Sequence, residues 1–227
     1  MIVAMDGPAG AGKSTVARLL AERLGFRLID TGAMYRCVAL EGQRRGIDTF
    51  APGAHEQLGE IARTLPIDFR FFDGLNRILL AGEDVTEAVR APEVSKAASE
   101  VSSIPAVRSA LVDRQRILGA AIDCVMEGRD IGTVVFPDAD IKLFLTASLD
   151  ARSRRRVVQS GVHESASAEV TREIADRDAR DMGRADAPLF AAPDAVVIDT
   201  SEMKIDEAVG QAIALVQQRL AAEGHHR

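Results

Sequence analysis

Residues 1–20 read MIVAMDGPAGAGKSTVARLL, and the fold turns on how this stretch divides. Ile2 to Met5 is a short apolar run of the length of a buried strand. From Thr15 onward Val16, Leu19, Leu20 and Leu24 recur at helical spacing, so a helix begins about where the glycines end. Between them lies Gly7-Pro8-Ala9-Gly10-Ala11-Gly12-Lys13-Ser14-Thr15, which contains the pattern G-x-x-x-x-G-K-[ST]. Glycines let the backbone turn its N–H groups inward around phosphate oxygens. The helix N-terminus adds the positive end of its dipole. Lys13 can reach the β- and γ-phosphates of a nucleoside triphosphate, and the Ser14 hydroxyl can take a place on Mg²⁺, directly or through water. The stretch reads as strand, phosphate loop, helix.

The rest of the chain limits what such a loop can serve. With 227 residues and 47% hydrophobic content, the sequence suits one generous domain, or one domain carrying an insertion. A formal net charge of −6 argues against a nucleic-acid-wrapping surface, because phosphate neutralisation needs a basic face. No window approaches a membrane-spanning apolar run, and the N-terminus lacks the layout of a signal peptide. Cys37 and Cys124 sit in apolar stretches without a CxxC motif, which suits two buried thiols in a reducing cytoplasm. His55, His163, His225 and His226 show no metal-ligand spacing. The absence of Trp and the single Tyr speak against single-strand binding through stacked aromatics.

Outward from the loop, short apolar strands alternate with helical segments. Arg27 to Ile29 predicts a second strand, with Asp30 or Thr31 capping a helix that ends near Gly46. From Thr49 to about Ile104 the rhythm breaks. A short helix precedes two runs, DFRFF and NRILLAG, joined as a hairpin at Asp73-Gly74-Leu75, and Pro92 opens a further helix. The alternation resumes with a helix from Pro105, buried strands in IDCVME and DIKLFLTA, and an arginine-rich helical region over Leu149 to Gly183, broken near Gly161. A strand in DAVVIDT and a closing helix from Ile205 to Leu220 follow. This order predicts an α/β fold with a parallel sheet covered by helices on both faces. Ligands of such sheets sit beyond the carboxyl ends of the strands, where MDG, IDTG, MEGRD and FLTAS all fall.

Switches, motors and kinases share phosphate loops, so the phosphate acceptor needs separate evidence. A guanine-reading N-K-x-D and a D-x-x-G are both absent, and the only Asn is Asn76. Arginines instead stand where a second phosphate could dock: Arg36 one turn past the second strand, Arg129 after the third, Arg108 at the head of a helix. Arg177, Asp181 and Arg184 are spaced to share one helix face, an arrangement equally open to a solvated, salt-bridged helix. Four arginines crowd into residues 152–156, and they repel one another unless anions are near. Phosphoryl transfer supplies such anions, and bidentate guanidinium suits their clamping.

GPAGAGKST, DTGAMYR, KAAS, PAVR, EGRDIGTVVFPDA and DRDARDMGRADAPL occur in this order and spacing. Together they closely resemble the bacterial cytidylate kinase family over nearly the whole chain. The resemblance implies a P-loop nucleoside-monophosphate-kinase core over 1–48 and 105–227, an inserted NMP-binding subdomain over 49–104, and a mobile lid within about 152–172. It implies ATP and CMP or dCMP as substrates with Mg²⁺; the enzyme is expected to be cytoplasmic, from its cysteine usage, and a monomer. Gly7 to Thr15 would then hold ATP with Arg152 and Arg156, and Lys13, Arg36, Arg129 and Arg155 would serve the chemistry. Arg36 and Arg129 would clamp the acceptor phosphate. Arg108, Asp130, Arg184 and Thr31 would read cytosine, Ser99, Arg177 and Asp181 would meet the sugar, and Tyr35 would belong to the same site. Cytosine offers an N4 amine, wanting an acceptor such as Asp130, and O2 and N3 acceptors, wanting arginine. The family often has Ser where Thr31 stands, and some members have Gly where Ser14 stands. A UMP-accepting kinase and a nucleotide-binding switch without turnover remain the alternatives.

Overall fold

The computed structural model describes residues 1–72, 75–160, 167–184 and 186–224. In chain order the elements begin β1 (Ile2–Asp6), α1 (Lys13–Leu24), β2 (Arg27–Asp30), α2 (Thr31–Arg44), α3 (Ala54–Thr64), β3 (Ile67–Phe72), β4 (Leu75–Leu80) and β5 (Glu83–Asp84). After a 3₁₀ turn at Ala88–Arg90 come α4 (Pro92–Val101), α5 (Pro105–Ala120), β6 (Cys124–Glu127), a π-helical turn at Ile131–Val135 and β7 (Ile141–Thr146). The chain closes with α6 (Leu149–Ser160), α7 (Ser167–Met182), β8 (Val196–Asp199) and α8 (Ile205–Gly224). The expected hairpin turn at Asp73-Gly74, the helix break near Gly161, and His163, His225 and His226 lie outside the described residues.

The main sheet has the strand order β2-β6-β1-β7-β8. Its β1–β6, β1–β7 and β7–β8 pairings are parallel, with Val3 opposite Val125 and Ile141, and Leu145 opposite Ile198. Crossover helices make such a ladder possible, because parallel neighbours cannot be joined by a tight turn. The chain clusters into two compact units, Met1–Arg27 with Ile122–Arg227, and Leu28–Ala121.

In the first unit, Val3, Ala4, Met5, Val125, Met126, Leu143, Leu145 and Ile198 are all almost wholly buried. They read as continuous apolar runs because both faces of a parallel sheet are covered. The helix α1 packs on β6 and β1, and α8 packs on α1 and β7. The π-helical turn hangs on a residue remote in sequence: Asp6, at the end of β1, accepts from Ile131 N at 2.8 Å and Gly132 N at 2.7 Å. Among the described residues, no helix is long and apolar enough to cross a membrane.

In the second unit, β3, β4 and β5 form an antiparallel sheet with Ile67 opposite Leu80 and Arg70 opposite Arg77. The short edge strand β5 was not apparent from the sequence, because a two-residue strand carries no periodicity. Helix α2 packs on α3 and α4, and α3 on α5, around Leu58, Ile61, Ala62, Val101, Val107 and Leu111. Arg114 closes the C-terminus of α3 by donating to Leu65 O at 2.5 Å and Ala62 O at 3.1 Å, a favourable place for a cation. Cys37 in α2 and Cys124 in β6 are buried. Burial pushes their thiols up to about 12 and about 11 respectively.

Candidate active site

The phosphate loop has the expected surroundings, strand before and helix after, with α1 beginning at Lys13 rather than Thr15. Gly7 adopts φ +143°, and a Cβ there would lie 1.9 Å from Leu145 O, so the loop leaves β1 pressed against β7 where no side chain fits. Gly12 caps α1 in the left-handed region, and no side chain caps the first turn of α1. Its N–H groups are therefore available to an anion. Lys13 is buried, and its ammonium donates to Pro8 O at 2.7 Å. Burial lowers its pKa, Arg129 and Arg177 lower it further, and Glu127 and Asp6 partly oppose them. The lysine thus feels two arginines of the proposed acceptor set together with the Glu127 and Asp6 carboxylates.

Ser14 donates from Oγ to Glu127 Oε1 at 2.8 Å. A hydroxyl and a carboxylate at the mouth of the loop are hard oxygen donors of the kind that suit Mg²⁺. Among the described residues, no group of three or more His, Cys, Asp or Glu is placed to hold a metal by itself, so this donor set fits an ion that also takes substrate phosphate oxygens.

Around Asp181 the structure assembles three sequence-predicted arginines in the first unit, Arg129, Arg184 and Arg177. Asp181 is almost wholly buried. It accepts from Arg129 Nε at 2.9 Å on one oxygen and from Arg184 at 2.5 Å on the other. Burial pushes its carboxyl up, but Arg129, Arg184 and Arg177 outweigh this and hold it below the ordinary range. One expectation needs correction here. Helix α7 ends at Met182, so Arg184 lies beyond it and not on the shared helix face. Gly183 ends the helix, its N–H still bonded to Ala179 O at 2.9 Å, and Arg184 turns back onto Asp181 three residues earlier. Asp130, in the same unit, is buried immediately before the π-helical turn that Asp6 pins.

The arginines of α6 take separate places. Arg152 is buried, donating to Ala147 O, Ala9 O and Asp178. Arg155 donates to Thr200 Oγ1 at 3.0 Å and also to Thr200 O. The Thr200 hydroxyl is in turn 3.0 Å from Ala11 O in the phosphate loop. Arg156 is exposed and reaches Gln159 at 3.5 Å.

In the second unit, Asp30 caps α2 by accepting from Ala33 N at 2.9 Å, and its other oxygen accepts from Arg36 at 2.7 Å. Gly32 makes room for this: a Cβ there would lie 3.2 Å from Arg36 Nη1. Thr31 opens α2 and is buried, Tyr35 lies one turn on and half-buried, and Arg108 is buried in α5. Ser99 stands on α4, its hydroxyl buried with no hydrogen-bond partner among the described residues.

Sequence reasoning did not single out Asp6, Glu127, Asp178 or Thr200, and it gave Asp30 only a helix-capping role, which the structure bears out. Each does its work through a partner distant in sequence or in the next turn. The available signal was position, since Asp6, Asp30, Glu127 and Thr200 stand at or just after the carboxyl ends of strands.

A glycine-built loop at a strand end, a buried lysine within it and guanidinium groups beside it define an ATP-dependent phosphotransferase of the P-loop kinase class. Solved structures agree at the level of fold. A shikimate kinase from Bacteroides thetaiotaomicron matches with TM-score 0.50 and 12% identity over 96% of this chain and 98% of that one. An uncharacterized protein from Eubacterium ventriosum matches with TM-score 0.53 and 13% identity over 96% and 98%. The cytidylate kinase family model matches residues 3–218. A cytidylate kinase from Solibacter usitatus is 48% identical over 97% of this chain and 94% of its own length, and one from Rhodococcus jostii is 46% identical over 98% and 97%. The chain belongs to the cytidylate kinase family.

Proposed function

We propose that this protein transfers the γ-phosphoryl group of ATP to CMP or dCMP, giving CDP or dCDP and ADP. Beyond family membership, the observation that carries this reading is that the buried Asp181 holds Arg129 at 2.9 Å and Arg184 at 2.5 Å in the same unit as the buried Lys13 of the phosphate loop. Arg129 and Arg177 also lower the pKa of Lys13, against Glu127 and Asp6, so donor-loop and acceptor-side cations act on one another. Such a cluster of cations is costly without anions and suited to the charge of phosphoryl transfer.

In this reading Gly7 to Thr15 wraps the triphosphate with its amides, and Lys13 stabilises charge on the transferring group. Arg36, held by Asp30, and Arg129, held by Asp181, fix the acceptor phosphate in line. Asp130 accepts from the cytosine N4 amine, Arg108, Arg184 and Thr31 meet O2 and N3, and Ser99, Tyr35, Arg177 and Asp181 line the sugar side. No general base is needed, because the acceptor phosphate is already an anionic nucleophile. Mg²⁺ would be held by Ser14, with Glu127 behind it, and would supply charge neutralisation on the phosphates. Residues 49–104 serve as the acceptor-side insert and about 152–172 as the lid over ATP, excluding water from the reaction. Arg156 and Arg155 contribute from the lid, Arg155 after leaving Thr200. The enzyme works as a cytoplasmic monomer.

Turnover on CMP, dCMP, UMP and AMP at equal concentration tests this. CMP and dCMP are expected to lead. Rates led by UMP would remove the cytosine-reading assignments, and an absence of acceptor-dependent ADP release would leave a nucleotide-binding switch.

A further inference from the structure

One nitrogen atom joins the phosphate loop to the helix that carries the acceptor-side residues. Nη1 of Arg152 donates to Ala9 O in the loop at 3.2 Å and to Asp178 Oδ2 in α7 at 2.5 Å. Nε of the same side chain is fixed on Ala147 O at 3.0 Å. The side chains of Arg152 and Asp178 are only 9% and 15% exposed, so water competes little for either bond. The loop rests directly on this side chain. Gly10 adopts φ +78°, and a Cβ there would lie 3.1 Å from the Cβ of Arg152. Asp178 directly follows Arg177 and precedes Asp181 by one turn, so the three span about 100° of the α7 circumference.

We propose that Arg152 and Asp178 are positioning residues that couple the two substrates, so that acceptor bound on α7 orders the phosphate loop and strengthens triphosphate binding. The inference rests on the assignment of Arg177 and Asp181 to the acceptor. A ligand held by those two side chains fixes the position of α7, and with it the Asp178 carboxylate. That carboxylate fixes the Arg152 guanidinium, and the guanidinium fixes Ala9 O at the tip of the loop. The ordering cost met by the first ligand is then not met again by the second, which is positive cooperativity. By linkage the triphosphate strengthens acceptor binding by the same factor.

Calorimetric titration of adenosine 5′-(β,γ-imido)triphosphate, with and without saturating CMP, reads this coupling as a ratio of dissociation constants. In the wild-type protein CMP is expected to tighten the imidotriphosphate about fivefold or more. In Asp178→Asn, which keeps the shape but not the charge, the ratio is expected to fall towards one, and Asp178→Glu is expected to restore most of it. A merely structural defect weakens both titrations together and leaves the ratio unchanged. Arg152→Lys cannot serve both acceptors and fix Ala147 O, and it is expected to lose the ratio too, giving an independent variant should Asp178→Asn fold poorly. A wild-type ratio of one, or a full ratio in both Asp178→Asn and Arg152→Lys, overturns the coupling while leaving the cytidylate kinase reading in place. Failure of CMP to bind the wild-type protein overturns that reading itself.

Discussion

Arg129, just after β6, and Asp181, on α7, stand 52 residues apart in the chain and meet through Nε and Oδ2 at 2.9 Å. The contact sets the angle of a guanidinium whose remaining donors point elsewhere, one of them to Gly128 O at 3.1 Å. Because Asp181 also holds Arg184, one buried carboxylate orients two cations.

Asp181→Ala should therefore destabilise the protein by about 3–5 kcal/mol, since it removes the buried carboxylate that both Arg129 and Arg184 donate to. Arg184→Ala should cost clearly less, because Asp181 keeps Arg129. Denaturant melts of the two variants check the order, and equal losses would deny that Asp181 is the shared partner.

Lys13→Ala should lower kcat about 10²–10³-fold, the loss common for one well-placed transition-state donor. The fold should survive, since the loop geometry rests on glycines and on Arg152 and Thr200 beneath it. Turnover and a circular dichroism melt decide this together, and wild-type turnover in the variant would dismiss the lysine from the reaction.

The reading of residues 1–20 was local, and so it was legible: strand, loop and helix follow from spacing and glycine placement within twenty positions. The acceptor side was legible as a list of arginines but not as an assembly. That Arg184 leaves the helix depends on Gly183 and on the pull of Asp181, while the face arithmetic assumed an unbroken helix. The π-helical turn at Ile131–Val135 had no local signature. It exists because Asp6, from the far end of the sequence, takes the N–H groups of Ile131 and Gly132. Arg152 and Arg155 looked alike as members of a charged run, and only the fold distinguishes the one that holds Ala9 O from the one on Thr200.

Burial pushes the Asp6 carboxyl up to about 6, against the pull of the Gly132 and Ile131 N–H groups. Its folded value lies above its ordinary one of 3.8, so between those pH values the folded protein binds more protons than the unfolded chain. The stability contributed by this group is then present at low pH and lost as pH rises through about 6. Relative to Asp6→Asn, the wild-type protein should gain about 1 kcal/mol between pH 7 and pH 5. Paired denaturant titrations measure the difference, and a gain in the opposite direction would sink the assignment. Protonation also weakens the hold on the turn beside Arg129 and Asp130, so turnover should fall over the range in which this stability term rises.

Ser14→Ala should raise the Mg²⁺ concentration needed for half-maximal turnover, because the hydroxyl set against Glu127 is the oxygen at the loop mouth. A titration of rate against Mg²⁺ at fixed ATP checks it. An unchanged requirement would assign the ion to phosphate oxygens and water alone.

Asp130→Ala should narrow the preference for CMP over UMP, since uracil presents a carbonyl where cytosine presents an amine. The ratio of kcat/KM values for the two acceptors is the measurement, and a ratio equal to that of the wild type would remove Asp130 as a reader of the base.

The two native thiols lie inside α2 and β6, both buried, with values of about 12 and about 11. At neutral pH they are scarcely ionised, and maleimide or iodoacetamide reagents attack the thiolate. An exposed cysteine introduced anywhere on the surface would consequently be the sole fast-labelling position in the native enzyme. Fluorophore pairs for following α6 and α7 during turnover could then be attached without first stripping Cys37 or Cys124 from the chain.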